Sequence, residues 1–328
     1  MSNSKAHLAE KIFEKDIEKI PTRNGYGEGL VEAGEKDKRI LVLCADLSES
    51  TRSEYFQKKF PERFVEVGVA EQNMASLAAG MALAGKVPFI SSYAAFSPGR
   101  NNEQIRTTVA LNNANVKIAG AHAGISVGPD GATHQALEDI ALMRVLPNMR
   151  VIVPCDAIEA KKATVAAAAI EGPVYLRFAR EKTPLFTTLQ TPFQFGRAEI
   201  FLQGKDATII ACGPVLYEAL LAAHLLEKQG VSVEVLNSHT VKPLDKKTIL
   251  QSVSKTKAVV TVEEHQIAGG LGGAVAELLS RECPVPVECI GVQDRFGESG
   301  SPDELMDAFG LTHPHIIKAV KKVLKRKV

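Results

Sequence analysis

The sequence predicts an α/β protein of two three-layer domains. Three observations predict it. The chain has 328 residues, enough for two domains with sizeable cores. Short apolar runs alternate with longer helix-forming segments along its whole length, the pattern of largely parallel sheets covered on both faces. Between the two series lies residues 181–200, EKTPLFTTLQTPFQFGRAEI, which has two prolines, clustered threonines and no clear period. These features divide the chain into an N-terminal lead at 1–14, a first domain at 15–180, a linker at 181–200 and a second domain at 201–328.

In the first domain, KRILVLCADL (38–47) reads as a strand ending in polar residues. EQNMASLAAGMALAG (71–85) has the length and small residues of a closely packed helix. VPFISSYAAF, VKIAGAH and MRVIVPCD read as further strands, AIEAKKATVAAAAI (157–170) as a helix by propensity, and GPVYLRFAR (172–180) as a strand. In the second domain the strands are DATIIACG, VSVEVLNSHTVKP and AVVTVEE. The helices are VLYEALLAAHLLEKQG, KKTILQSVSKTK and the glycine-led GGLGGAVAELLSREC. The tail HPHIIKAVKKVLKRKV reads as a basic amphipathic helix whose charges face water.

Lys and Arg number 39 against 38 Asp and Glu, so the chain has no general field for nucleic acid or an anionic membrane. Trp is absent, and 13 Phe and 5 Tyr leave few stacking platforms. No apolar run approaches the roughly 18 to 20 residues that cross a bilayer, and the charged start has no signal-peptide core. Five cysteines without a CxxC pair do not form a disulfide framework. Cytoplasm is the expected location.

In GVAEQNM, Glu71 falls at a strand-to-helix junction among small and apolar residues. Such a carboxylate can bond free backbone N–H groups at the helix start, or share a proton with a bound heterocycle. GAHAGISVGPDGATHQALED (120–139) has glycines at 120, 124, 128 and 131, which suit a loop whose backbone approaches a ligand. His122, Asp130 and His134 there are either satisfied structural groups or proton carriers and acceptors facing a polar substrate. No HExxH occurs and no cysteine is near, so zinc ligation is disfavoured; GxGxxG and P-loop spacings are absent. Arg23, Arg100, Arg177 and Arg180 lie in or beside loops and strand ends. Each is a surface or structural cation, or a paired donor for an anion. Ser48 and Ser50 could join Arg23 if the fold brings them together. Tyr93 and Phe96 either pack in the core or flank a flat heterocycle.

These segments resemble the transketolase family over about residues 15–325. VGVAEQNM resembles the segment carrying that family's cofactor-activating glutamate, which falls on Glu71. SSYAAF resembles the aromatic segment around the aminopyrimidine of thiamine diphosphate, with Phe96 as stacking ring and Tyr93 as neighbour. HAGISVGPDGATHQ is the most specific match. It places a substrate-channel histidine on His122, a hydroxyl-reading aspartate on Asp130 and a reaction-centre histidine on His134. The resemblance further implies a sugar-phosphate site of Arg23, Ser50, His122 and Arg180, and a cofactor or interface contact at Asp46 within ADLSES. The layout corresponds to the pyrimidine-binding domain followed by the smaller C-terminal domain, to which no catalytic residue is assigned.

The family's GDG segment and its metal-holding asparagine have no counterpart here, so no metal ligand is expected in this chain. It resembles one half of a split enzyme. A separate N-terminal subunit would hold Mg²⁺ (or Ca²⁺) and the diphosphate, in an α2β2 heterotetramer. The implied reaction moves a two-carbon glycolaldehyde unit from a ketose phosphate to an aldose phosphate, of the sedoheptulose 7-phosphate:glyceraldehyde 3-phosphate type in the pentose phosphate pathway. A deoxyxylulose-phosphate synthase-like half, a 2-oxoacid dehydrogenase β subunit and a non-catalytic scaffolding subunit are the competing expectations.

Overall fold

A computed structural model describes residues 3–14 and 16–327. A seven-stranded sheet runs in the order Thr240–Lys242, Arg150–Ile152, Val174–Arg177, Lys117–Ala121, Val87–Tyr93, Ile40–Cys44, Phe64–Glu66. Its neighbours are parallel except Thr240–Lys242, which joins antiparallel. The central strands are apolar on both faces because helices cover both. The helices Thr22–Lys36 and Ala157–Ala169 bury Tyr26, Leu30, Ala160 and Ala163 against one face; Glu71–Leu83 buries Met74, Ala75 and Ala78 against the other.

The helix Thr22–Lys36 was not expected from TRNGYGEGLVEAGEK, whose four glycines lower helix propensity. Close packing overrides that cost. A Cβ on Gly25 would stand 1.9 Å from the Ala157 carbonyl oxygen, and one on Gly29 2.6 Å from Thr164 Cβ. The two glycines lie four apart on one face, so the neighbouring helix can approach there.

The second sheet runs Val287–Val292, Val259–Gln266, Ala207–Ala211, Val233–Asn237, Glu199–Leu202, parallel except for the last. Leu216–Glu227 and His313–Lys325 cover one face; Lys246–Thr256 and Leu271–Glu282 cover the other. The tail helix buries Ile316, Val320 and Val323, and its Lys322 pairs outward with Glu288.

VSVEVLNSHTVKP is two strands in two sheets. Ser238 N–H donates to the Ala211 carbonyl in the second sheet, and the His239 carbonyl accepts from Val153 N–H in the first. The His239 ring stacks on Phe193 at 4.3 Å, fixing this crossing. Segment 181–200 is also tightly held. Lys182–Pro184 pairs with Lys19–Pro21, and Phe186 is fully buried. Buried Asp156 accepts from Glu159 N–H, capping its helix, and from Phe186 N–H, Thr187 N–H and the Thr187 hydroxyl. All five cysteines are unpaired, and no described helix is long and apolar enough to cross a membrane.

Candidate active site

Parallel strands send their carboxyl ends to one edge of a sheet, where ligand-binding loops collect. Here the register sets Cys44 beside Ser91, Tyr93 beside Ala121 and Gly120 beside Arg177. Asp46, Phe96, His122 and Arg180 follow within three residues of the strand ends at Cys44, Tyr93, Ala121 and Arg177.

Glu71 opens its helix and is 2% exposed. Its carboxylate does not cap its own helix. Arg100 Nη1 donates to Glu71 Oε2 at 2.7 Å, and Asn101 Nδ2 donates to the Glu71 carbonyl at 3.0 Å. The Arg100 guanidinium lies 4.5 Å from the Phe96 ring centroid. Glu71 and Phe96 together hold one flat, N–H-bearing group, the Arg100 guanidinium, with a donor on Glu71 and its charge over Phe96. An aminopyrimidine asks for the same two contacts, so Glu71 and Phe96 fit that half of thiamine diphosphate. About half of the Arg100 side chain faces solvent.

Phe96 meets His134 edge-on at 5.3 Å, and Tyr93 stacks on His122 at 3.9 Å. His122 adopts φ 54, a left-handed conformation that turns its ring back over Tyr93. The Thr133 hydroxyl lies 2.8 Å from His134 Nδ1, fixing the second imidazole from outside. One continuous wall thus runs from Glu71 through the aromatic rings to His122.

Beyond His122 the wall becomes cationic. Arg23 Nη1 donates to the Ser50 carbonyl at 2.7 Å and lies 3.3 Å from His122 Nε2. Arg180 Nη1 donates to the Val127 carbonyl at 2.8 Å and stands 3.5 Å from Asp130 Oδ1. Arg52 Nε donates to Asn24 Oδ1 at 3.0 Å, on the residue after Arg23. Burial and the neighbouring charges of Arg23, Arg180 and Arg52 push the His122 pKa down to about 3, so its ring is neutral at pH 7. Burial first, then Arg52 and Arg180, lower Arg23. Three guanidinium groups beside a neutral histidine, with Arg180 partly offset by Asp130 and Glu181, offer the paired donors that a phosphate or similar anion takes.

The structure brings together Glu71, Tyr93, Phe96, His122, His134, Arg23 and Ser50, with Arg180 and Asp130 paired at the rim. Ser50 offers its carbonyl to Arg23 rather than its hydroxyl. Asp46 stands apart; it is exposed at φ 59, with its N–H donating to Glu66 Oε1. Arg177 is a structural cation, buried and bonded to Asp139 at 2.8 Å. Sequence reasoning missed Arg52, Asn101 and Thr133. It singled out Arg100 without its partner Glu71. None carries a local signal beyond residue type. Among the described residues no three His, Cys, Asp or Glu side chains are grouped to hold a metal ion.

A buried glutamate beside a phenylalanine ring, joined through Tyr93 and His122 to a cluster of arginines, is the arrangement expected on the pyrimidine-binding side of a thiamine-dependent sugar enzyme. The sequence matches the transketolase pyrimidine-binding domain over residues 18–184 and the transketolase C-terminal domain over 196–316. The chain belongs to the transketolase family and spans that family's pyrimidine-binding and C-terminal domains. A solved structure described as the inactive β4 tetramer of a split-gene transketolase is 47% identical, with a TM-score of 0.89, covering 94% of this chain and all of that one. The 6-deoxy-6-sulfo-D-fructose transketolase subunit SqwH of Clostridium sp. is 42% identical over 96% of this chain and 98% of its own length. Human transketolase is 39% identical over 94% of this chain, which spans 50% of that enzyme.

Proposed function

We propose that this subunit completes its active site with a separate N-terminal subunit and transfers a two-carbon glycolaldehyde unit from a ketose phosphate to an aldose phosphate. The observation that carries this reading is the wall joining Glu71 and Phe96 to the Arg23–His122–Arg180 anion site. Thiamine diphosphate, when bound, supplies the nucleophilic carbon for the transfer. The N-terminal partner holds its diphosphate and the Mg²⁺ (or Ca²⁺), in an α2β2 assembly.

Glu71 would hydrogen-bond the ring nitrogen of the aminopyrimidine, and Phe96 would carry the ring plane, with Tyr93 beside it. Asp46 is the peripheral cofactor or interface contact. His134, its Nδ1 already engaged with Thr133, directs Nε2 at the reacting oxygens and moves their protons. Asp130 reads a sugar hydroxyl. Arg23, Ser50, His122 and Arg180 fix the far phosphate and so align the reacting carbons. A neutral His122 offers an N–H to that phosphate without adding a buried charge.

A sulfosugar donor is the second reading, favoured by the relative that acts on 6-deoxy-6-sulfo-D-fructose. Both anions are tetrahedral; the three arginines favour the dianionic phosphate over the monoanionic sulfonate. The test assays this chain, the N-terminal subunit and their mixture with a ketose phosphate, a 6-sulfo-ketose or pyruvate as donor. Transfer from the ketose phosphate by the mixture alone is expected. Full transfer by this chain alone contradicts the split site, and a mixture that uses only pyruvate moves the assignment to the synthase-like or dehydrogenase class.

A further inference from the structure

The loop bearing the proposed substrate contacts is held from its outer side by the second domain. Leaving the strand Lys117–Ala121, the chain turns at Gly124 with φ 95, and Ser126 N–H donates to Glu264 Oε1 at 2.7 Å. Glu264 belongs to the strand Val259–Gln266 of the other sheet and is buried. A Cβ built on Gly124 would stand 2.2 Å from the same Glu264 oxygen, so the carboxylate fits against bare backbone. Glu264 is anchored in turn. Its carbonyl accepts from Arg177 Nη2 at 2.8 Å, and Arg177 ends the strand that leads to Arg180.

Burying a carboxylate disfavours its charged form, and Glu264 is shifted upward by that burial while Arg177 and the Ser126 bonds pull it back. A simple packing contact between domains needs no such group. What the carboxylate supplies is a strong acceptor for a loop N–H that no strand or helix satisfies. A second brace lies close by: Gln135 Nε2 donates to the Gly128 carbonyl at 3.1 Å and to the Glu298 carbonyl of the second domain at 2.9 Å.

We infer that Glu264 is a positioning residue, through which the second domain sets the curvature of the 124–131 loop and hence the place of Asp130 beside Arg180. The link to substrate rests on the function proposed above for that loop; the latch itself does not.

The test uses Glu264→Ala and Glu264→Gln. Backbone hydrogen exchange is read on the chain, and kinetics on the complex with the N-terminal subunit and cofactor. In Glu264→Ala, amide exchange in 124–131 should rise about tenfold or more. KM for the phosphorylated acceptor should rise about tenfold, with kcat within about threefold. Glu264→Gln keeps an acceptor oxygen and should return both readouts to within about threefold of wild type. Unchanged exchange in Glu264→Ala, or equal damage by both variants, overturns the latch. Faster exchange with unchanged KM upholds the latch and overturns the assignment of the loop to substrate. Should Glu264→Ala fail to fold, Glu264→Asp keeps the charge but withdraws it by one methylene. It should show the same losses at smaller size, and unchanged exchange in it refutes the proposal.

Discussion

Replacing His122 with Gln should flatten the acid sensitivity of folding. His122 is 1% exposed, and its pKa falls from the ordinary 6.5 to about 3 through burial and the charges of Arg23, Arg180 and Arg52. Between those values the unfolded chain binds the proton and the folded chain does not. Stability from this group is therefore fully present above about pH 6.5 and is lost as pH falls toward about 3, by up to about 1.4 kcal/mol per unit. From about pH 6.5 to 4.5 the wild type should lose about 2–3 kcal/mol more than His122→Gln. His239, also lowered to about 3, acts in the same direction; Glu159, raised to about 7, acts oppositely because its folded form binds the proton first. Both remain in the variant and cancel in the difference. Gln keeps an acceptor for Arg23, so the neutral-pH structure should survive. The assay is urea unfolding at several pH values and one protomer concentration. Parallel pH profiles for the two proteins would refute the assignment of a neutral, buried His122.

Arg52→Met should raise KM for a phosphorylated sugar about three- to tenfold and leave an unphosphorylated analogue unchanged, because Arg52 acts through charge beside Arg23. Steady-state kinetics of the complex check this, and equal effects on both substrates would exclude Arg52 from the anion site. Asp156→Ala strands three backbone or hydroxyl donors and removes a helix cap, so unfolding should become easier by about 3–5 kcal/mol. KM at a temperature where the variant is folded should not move; a KM change with intact stability would mean that Asp156 serves the site.

The central strands were legible because apolar runs bounded by polar residues have few other uses in a parallel sheet; the edge strands Phe64–Glu66, Glu199–Leu202 and Val287–Val292 were not read. The helix Thr22–Lys36 was hidden by glycines that make sense only beside Ala157 and Thr164. The split of residues 233–242 was hidden because the two strands, Val233–Asn237 and Thr240–Lys242, are separated only by Ser238 and His239, with no glycine or proline to mark the crossing. Within the site, Glu71, the YAAF aromatics and the two-histidine loop are compact in sequence and could be recognised together. Arg52, Arg100 and Glu264 acquire meaning from partners tens or hundreds of residues away: Arg100 from Glu71, Arg52 from Arg23 and Asn24, Glu264 from Ser126. Asp46 shows the converse. Its position in a recognisable segment gave it a role, while its exposed backbone turn sets it at the margin.

The most direct measurement is the rate of two-carbon transfer by Glu71→Gln, with saturating thiamine diphosphate, divalent metal and N-terminal subunit. A carboxylate that tunes the cofactor's proton predicts a fall of at least about a hundredfold with assembly intact. A rate within about twofold of wild type would place the source of activation elsewhere.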